Sequence, residues 1–213
     1  MNYFLIITVC LLALQTLQGQ QPAAIQAEAA LTSRHLIPGE QTNLVIRLRG
    51  AQPDFRPAPP TVANTAVNFV RAVTQLDTQR NLTQVFLYRL TPAKTGNYTI
   101  PPVTMSSGGK QYQSPPLQIH VHDPNQLVAL PTGISNATIL AGWFPAKTTL
   151  YQGEQCPLVL KLYAPEKLRL ASWGLPDPQK ENCLAWRFSL PPLHELGLVS
   201  INGVNHLSAR YET

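Results

Sequence analysis

The feature that most constrains this chain is a turn-and-strand motif that occurs twice. Residues 36–49 read LIPGEQTNLVIRLR, and residues 150–163 read LYQGEQCPLVLKLY. The two copies are 114 residues apart, measured from Gly39 to Gly153. Solenoid repeats recur every 20–50 residues or so, whereas a period this long is typical of two copies of one domain. The sequence therefore predicts a duplicated module.

Each copy of the motif has the composition of a tight turn followed by a half-buried strand. Gly39 and Gly153 permit a backbone shape closed to other residues. Glu40 and Glu154, beside these glycines, are explained by the turn, where a carboxylate can accept from local backbone donors. The strand then alternates between two faces. We expect the core-facing residues to be Thr42, Leu44, Ile46 and Leu48 in copy one and Cys156, Leu158, Leu160 and Leu162 in copy two.

The proline content indicates the fold class. The 213 residues include 20 prolines, about twice the usual frequency. Proline cannot occupy a central strand, so pairs such as Pro59-Pro60 and Pro101-Pro102 mark strand ends. Between them lie short runs rich in Val, Leu, Thr, Tyr and Phe, and no long amphipathic helix is visible. The sequence predicts an all-β chain of tandem immunoglobulin-like β-sandwiches.

The domain organisation follows from the repeat and from the N-terminus. Residues 1–20 are predicted to be a signal peptide, cleaved or kept as an anchor, because the apolar run is shorter than the roughly 20 residues of a membrane-spanning helix. Module one is predicted over residues 21–123, a linker over 124–135 and module two over 136–213. The last strands of module one have no counterpart in module two. We therefore expect module two to be truncated and the chain to be part of a longer protein.

Charge and motifs exclude several classes of function. The net charge is +5, and the 16 basic residues are scattered. No basic cluster or motif indicates nucleic-acid binding. No nucleophile, metalloprotease or phosphate-binding motif occurs, so we expect a protein that is not an enzyme and holds no cofactor. A hydrolase using His194 or His206 is kept as a third hypothesis.

Three sets of residues are candidate sites. His120 and His122 share one strand face and could bind a metal together, although exposed strand-end histidines are the favoured interpretation. Cys156 and Cys183 could form a disulfide in an exported protein, or Cys156 could be a buried free thiol. An exposed Trp143 and Trp173 would favour a carbohydrate-binding or adhesion module, which is the alternative function.

Two further segments carry a resemblance to a known family. Residues 87–105 read LYRLTPAKTGNYTIPPVTM, and residues 111–122 read QYQSPPLQIHVH. Together with the leader and the repeated G-E-Q turn, they resemble the BatD family, the oxygen tolerance proteins of bacterial aerotolerance (Bat) operons. The family pattern Y-x-L-x-P-x-x-x-G-x-x-x-I-P is matched by Tyr88, Leu90, Pro92, Gly96, Ile100 and Pro101. Gly39, Gly153, Gly96 and Pro101 are accordingly predicted to be structural residues.

The resemblance implies a location and a class of partner. It implies an exported protein at the periplasmic face of the bacterial inner membrane, held by a membrane anchor that this sequence does not contain. It also implies association with other envelope proteins, including Bat proteins with von Willebrand A-type domains, and a role in oxygen or envelope stress tolerance. No catalytic or cofactor-binding residues carry over from the family.

Overall fold

The chain is all-β. The computed structural model describes residues 24–76, 81–133, 137–147, 149–168, 188–190 and 196–212. Within these ranges the regular structure is β-strand apart from one short 3-10 turn, Pro124–Gln126. No helix in the described residues has the length and apolar character to span a membrane. The predicted all-β class is thus confirmed, while residues 1–20, predicted to be a signal peptide, lie outside the described part.

Module one is built from two facing sheets and a hairpin. Its strands in the described residues are β1 (Gln26–Leu31), β2 (His35–Leu36), β3 (Thr42–Arg49), β4 (Thr65–Leu76), β5 (Leu82–Pro92), β6 (Gly96–Ile100), β7 (Thr104–Ser107), β8 (Lys110–Gln113) and β9 (Leu117–Val121). One sheet has the order β1-β3-β5-β4 and the other the order β2-β9-β6. The short strand β2 pairs with β9 in parallel, and β7 and β8 form the separate hairpin.

The core of module one lies between these sheets. The alternation predicted for β3 is confirmed, because Thr42, Leu44, Ile46 and Leu48 are all buried. They pack with the inner residues of β5 and face the inner residues of the second sheet: Phe86, Tyr88, Leu90, Ile100, Leu117, Ile119 and Val121. Alternating strands from two sheets, each burying one face, make a β-sandwich.

Module two repeats the first sheet of module one. Its strands in the described residues are β10 (Val128–Pro131), β11 (Thr138–Pro145), β12 (Leu158–Pro165), β13 (Gly197–Ile201) and β14 (Val204–Glu212). The order β10-β11-β12-β14-β13 contains the β1-β3-β5-β4 arrangement with β10 added at one edge. The register is kept as well, since Leu31 pairs with Leu44 and Pro145 pairs with Leu158 at the same offset.

Two details differ from the sequence-based expectation. Strand β12 begins at Leu158, so Cys156 precedes the strand and does not occupy its inward face as predicted. The segment 124–135, predicted to be a linker, contains the 3-10 turn and strand β10, which pairs with β11. The exposed residues of β10 gave no alternating pattern to indicate a strand; its edge position and backbone pairing explain why it forms.

Candidate functional site at the module junction

The two G-E-Q turns have the same backbone geometry. In copy one, the Glu40 amide donates to the Ile37 carbonyl at 3.1 Å, and Gly39 has a φ of 80°. In copy two, the Glu154 amide donates to the Tyr151 carbonyl at 3.0 Å, and Gly153 has a φ of 83°. A glycine at the third position with this φ is what a type II turn requires. In each copy the glutamate Oε2 also accepts from the first amide of the turn, at 3.1 Å.

The surroundings of the two turns differ completely. Glu40 is buried and lies on the outer face of the module-two sheet. Its Oε1 accepts from Lys161 Nζ at 2.8 Å, and its Oε2 accepts from the Tyr163 hydroxyl at 3.2 Å. With the Ile37 amide, the carboxylate therefore has three protein donors, and Lys161 is itself buried. Burying two charges is costly, and such a pair persists only where hydrogen bonds complete it, as they do here.

Burial also shifts the acid–base properties of both partners. Desolvation lowers the pKa of Lys161, and the adjacent Glu40 carboxylate opposes that shift. Burial together with the Glu40 charge raises the pKa of the Tyr163 hydroxyl well above its ordinary value. The tyrosine thus remains a neutral hydrogen-bond donor. The cluster is a fixed polar contact between the modules.

An apolar cluster lies beside this contact. Ile37, at the start of the turn, is fully buried and packs in one cluster with Tyr163, Val199 and Ile201 of module two. Leu127 and Leu140 complete the cluster. Because apolar side chains exclude water around the ion pair, the electrostatic attraction within it is stronger than at a surface. The turn of module one therefore packs against module two through both apolar and charged side chains.

A second contact extends the junction through stacked rings. His35 Nδ1 and His122 Nε2 are 3.1 Å apart, and Phe144 of β11 stacks on both imidazoles, with ring centroids 5.2 Å and 4.2 Å away. Burial is the main cause that lowers the pKa of His35 to about 4. Charge repulsion lowers it further, and it comes from His122, His120, Lys161 and Arg34. Burial also lowers the pKa of His122. The imidazole that accepts this hydrogen bond must be neutral, and the lowered pKa of both histidines favours the uncharged form of each ring.

Gly142 allows Phe144 to reach this position. The two residues share a face of β11, and a Cβ built at Gly142 would lie 2.5 Å from Phe144 Cζ and 2.9 Å from Leu127 Cδ2. Real Cβ contacts do not approach so closely. A side chain at Gly142 would therefore push the phenylalanine ring off the histidines.

The first module matches a known protein family. Residues 29–121 match the family model described as the BatD DUF11-like domain. Module one is a BatD domain. The resemblance inferred from the sequence is thus confirmed over this range, which runs from within β1 to the end of β9 and includes Gly39, Gly96 and Pro101. Neither a curated protein nor a solved structure matches the chain.

The BatD domain contributes the histidines proposed as weak metal candidates. His120 and His122 lie at the end of β9, but both are half-buried rather than exposed, and His35 lies between them in ring contact with each. His120 Nδ1 is 2.8 Å from Asn97 Oδ1, which orients the ring toward the amide. No group of three metal-ligating side chains with suitable geometry occurs in the described residues. His35 and His122 of this cluster pack against Phe144 at the junction of the BatD domain with module two.

The other predicted site residues have separate environments. Gly96 of the BatD domain has a φ of 141°, which favours glycine, and Pro101 follows β6. Cys156 is half-buried, with its Sγ 3.5 Å from the Pro157 carbonyl oxygen. Cys183 lies outside the described residues, so the disulfide remains a prediction. Trp173 and His194 lie outside them as well, and His206 is buried on β14.

The residues that matter most at the junction were not singled out from the sequence. Glu40 was interpreted through its local turn alone, and neither Lys161 nor Phe144 was predicted to contact the other module. One signal was present: Lys161 is the only charge in LVLKLYAP, the sequence of β12. A lone lysine in a strand that is apolar on both faces indicates a buried partner.

Proposed function

We propose that the chain is a non-enzymatic interaction protein of the bacterial envelope that acts in oxygen or envelope stress tolerance. In this proposal the BatD domain and module two form one rigid unit, and other envelope proteins bind to both modules at once. Bat proteins with von Willebrand A-type domains are the proposed partners. The proposed location is the periplasmic face of the inner membrane.

The observation that carries the proposal is the buried contact of Glu40 with Lys161 and Tyr163. Two modules joined by a flexible linker lose orientational freedom whenever a partner binds both of them, and that loss lowers the affinity. The buried contact and the aromatic stack fix the orientation before binding. Because these buried polar groups hold the two modules in a fixed orientation, they favour the binding of a partner that contacts both modules.

The environment of the histidines supports the same interpretation. Active sites need titratable groups that face a cleft accessible to substrate. Here His35 and His122 stack against Phe144, and Glu40 is buried beside the apolar cluster that contains Ile37. These side chains already contact other groups of the protein at the junction, which favours a binding function over a catalytic one.

The proposal is tested by capture from native envelopes. The full chain with a C-terminal affinity tag is expressed in its own bacterium and cross-linked in intact cells, and the envelope fraction is then purified. We expect A-type-domain Bat proteins to be recovered. Glu40→Lys, which places two cations together at the junction, should reduce that recovery at least about fivefold, because a partner then meets two loosely joined modules.

A matched control separates this effect from a general charge effect. Glu166→Lys makes the same charge change at an exposed residue of module two and should leave recovery unchanged. A chain found mainly in the cytoplasm would contradict the proposal, as would equal recovery with Glu40→Lys. Recovery of polysaccharide in place of protein would support the carbohydrate-binding alternative, for which Trp143, 43% exposed, is one exposed aromatic side chain of the described residues.

A further inference from the structure

The internal repeat places both halves of the junction at a second location in the molecule. At the junction, the turn of module one supplies Glu40, and strand β12 of module two supplies Lys161. The offset of 114 residues assigns Glu154 to the position of Glu40 and Arg47 to the position of Lys161. Module two therefore has its own turn, and module one has its own receiving face.

The turn of module two is exposed. Tyr151 corresponds to the fully buried Ile37 but is 82% exposed, and Leu150 corresponds to the fully buried Leu36 but is 48% exposed. The carboxylate of Glu154 contacts only Lys147 and the Tyr151 amide in the described residues, and Lys147 is itself exposed. Two large apolar side chains thus project from a turn whose counterpart is buried, beside the half-buried carboxylate of Glu154.

The receiving face of module one is open as well. Arg47 and Arg49 correspond to Lys161 and Tyr163 and lie on the outer face of the first sheet. A groove of about 460 Å³ lies beside them, and its lining includes Gln26, Gln75 and Thr83. This is the position at which module two accepts the Glu40 turn. Arg49 pairs with Glu28 at 3.1 Å, and Arg47 supplies the positive charge that complements the half-buried carboxylate of Glu154.

We infer that the turn at Leu150–Glu154 docks into the Arg47 groove of a second copy of this chain. The contact continues the geometry of the junction between the modules and pairs Glu154 with Arg47 as Glu40 pairs with Lys161. An arginine can donate to the carboxylate through two parallel hydrogen bonds. The interface joins different surfaces of the two copies, so association is head to tail and gives a closed ring or an open filament. This inference does not depend on the proposed location or partners.

Sedimentation velocity of the full chain tests the inference. We expect the weight-average sedimentation coefficient to rise with concentration up to about 1 mM, because the equivalent contact within one chain forms at an effective concentration in this range. Glu154→Lys and Arg47→Glu should each weaken the association about tenfold or more, since each places like charges together. Circular dichroism and the unfolding midpoint verify that each variant folds.

The decisive measurement mixes the two variants. The lysine introduced at position 154 of one variant then faces the glutamate introduced at position 47 of the other, and the native Glu154 and Arg47 face each other at the alternate contact. We expect an equimolar mixture to associate although neither variant does so alone. The controls are Lys110→Glu and Glu166→Lys, which repeat the charge changes at exposed residues away from both surfaces and should associate like the parent chain. A chain that stays monomeric throughout, association that survives both charge reversals, or a mixture that fails to associate each overturns the inference.

Discussion

Glu40 Oε1 accepts a hydrogen bond from Lys161 Nζ at 2.8 Å, although 121 residues separate them in the chain. Both side chains are buried. The same glutamate appears again at position 154, in a turn of the same geometry, where it is paired with an exposed lysine. The chain thus contains one turn in two environments, and the difference in stability between them can be measured directly.

Removal of either partner of the buried pair should destabilise the protein strongly. Glu40→Gln leaves Lys161 buried without a countercharge, and we expect a loss of about 3–5 kcal/mol in the free energy of unfolding. Glu154→Gln, the matched control, removes an ion pair with the exposed Lys147 and should leave the free energy of unfolding nearly unchanged. Urea unfolding measures both values. The double variant Glu40→Gln/Lys161→Met should regain most of the loss, and equal costs at positions 40 and 154 would contradict this view of the junction.

Acidification should weaken the junction through His35. Its pKa is about 4 in the folded chain against 6.5 in the unfolded chain, so the unfolded state binds more protons between these values. The stabilisation is present above pH 6.5 or so and is lost as the pH falls toward 4. Because His35 is half-buried, we discount the shift for solvent and expect a loss of about 1–2 kcal/mol.

This pH effect can be isolated from the titration of carboxylates by a variant. His35→Phe keeps a ring against Phe144 but removes the ionisable group. The difference in unfolding free energy between the parent chain and this variant should shrink or change sign in favour of the variant as the pH falls from 7 to 4. A difference that stays constant over that range argues against a neutral His35 in the folded chain.

A side chain at Gly142 should displace Phe144. Gly142→Ala introduces a Cβ that cannot coexist with the present ring position, and overpacking of this kind costs about 1–3 kcal/mol. The imidazole proton resonances of His122 should also lose the ring-current shift produced by Phe144. Gly197→Ala is the control, because its Cβ would meet only the Ser208 hydroxyl oxygen, at 2.9 Å, which can rotate away. Unchanged His122 resonances in Gly142→Ala would refute the stacking.

Alanine substitutions at the two turn glycines, Gly39 and Gly153, should reduce the free energy of unfolding equally. A Cβ at Gly39 or at Gly153 would meet nothing within 4 Å, and both residues have a positive φ. Substitution by alanine should therefore cost about 1 kcal/mol at each position, entirely from the backbone conformation. Thermal unfolding of the two variants measures this. A much larger cost at Gly39 would indicate that the alanine also moves Glu40 away from Lys161.

Local patterns predicted much of the fold. The alternating residues of β3 predicted its buried face, since a strand with one apolar side has one stable orientation against a core. The period between Gly39 and Gly153 predicted a repeated turn and strand. The hairpin between β13 and β14 was also readable from Asn202-Gly203, because both residues have a positive φ, as a tight two-residue turn requires. That signal was overlooked.

The candidate site was less accessible to such reasoning. A turn composed of Gly39 and Glu40 looks the same as one composed of Gly153 and Glu154, and nothing local distinguishes a buried carboxylate from an exposed one. His35 was not connected with His120 and His122, because β2 has only two residues and pairs with β9 across most of the module. Contacts between residues far apart in the chain leave no periodic trace in the sequence.

The repeated G-E-Q turn itself was determined by the sequence: glycine at the third position sets the backbone, and the next glutamate accepts from the first amide of the turn. Only the tertiary structure decided that Glu40 meets the buried Lys161 while Glu154 pairs with the exposed Lys147. The physical reason is that a turn depends on torsion angles and neighbouring donors, whereas burial depends on which surface another module covers.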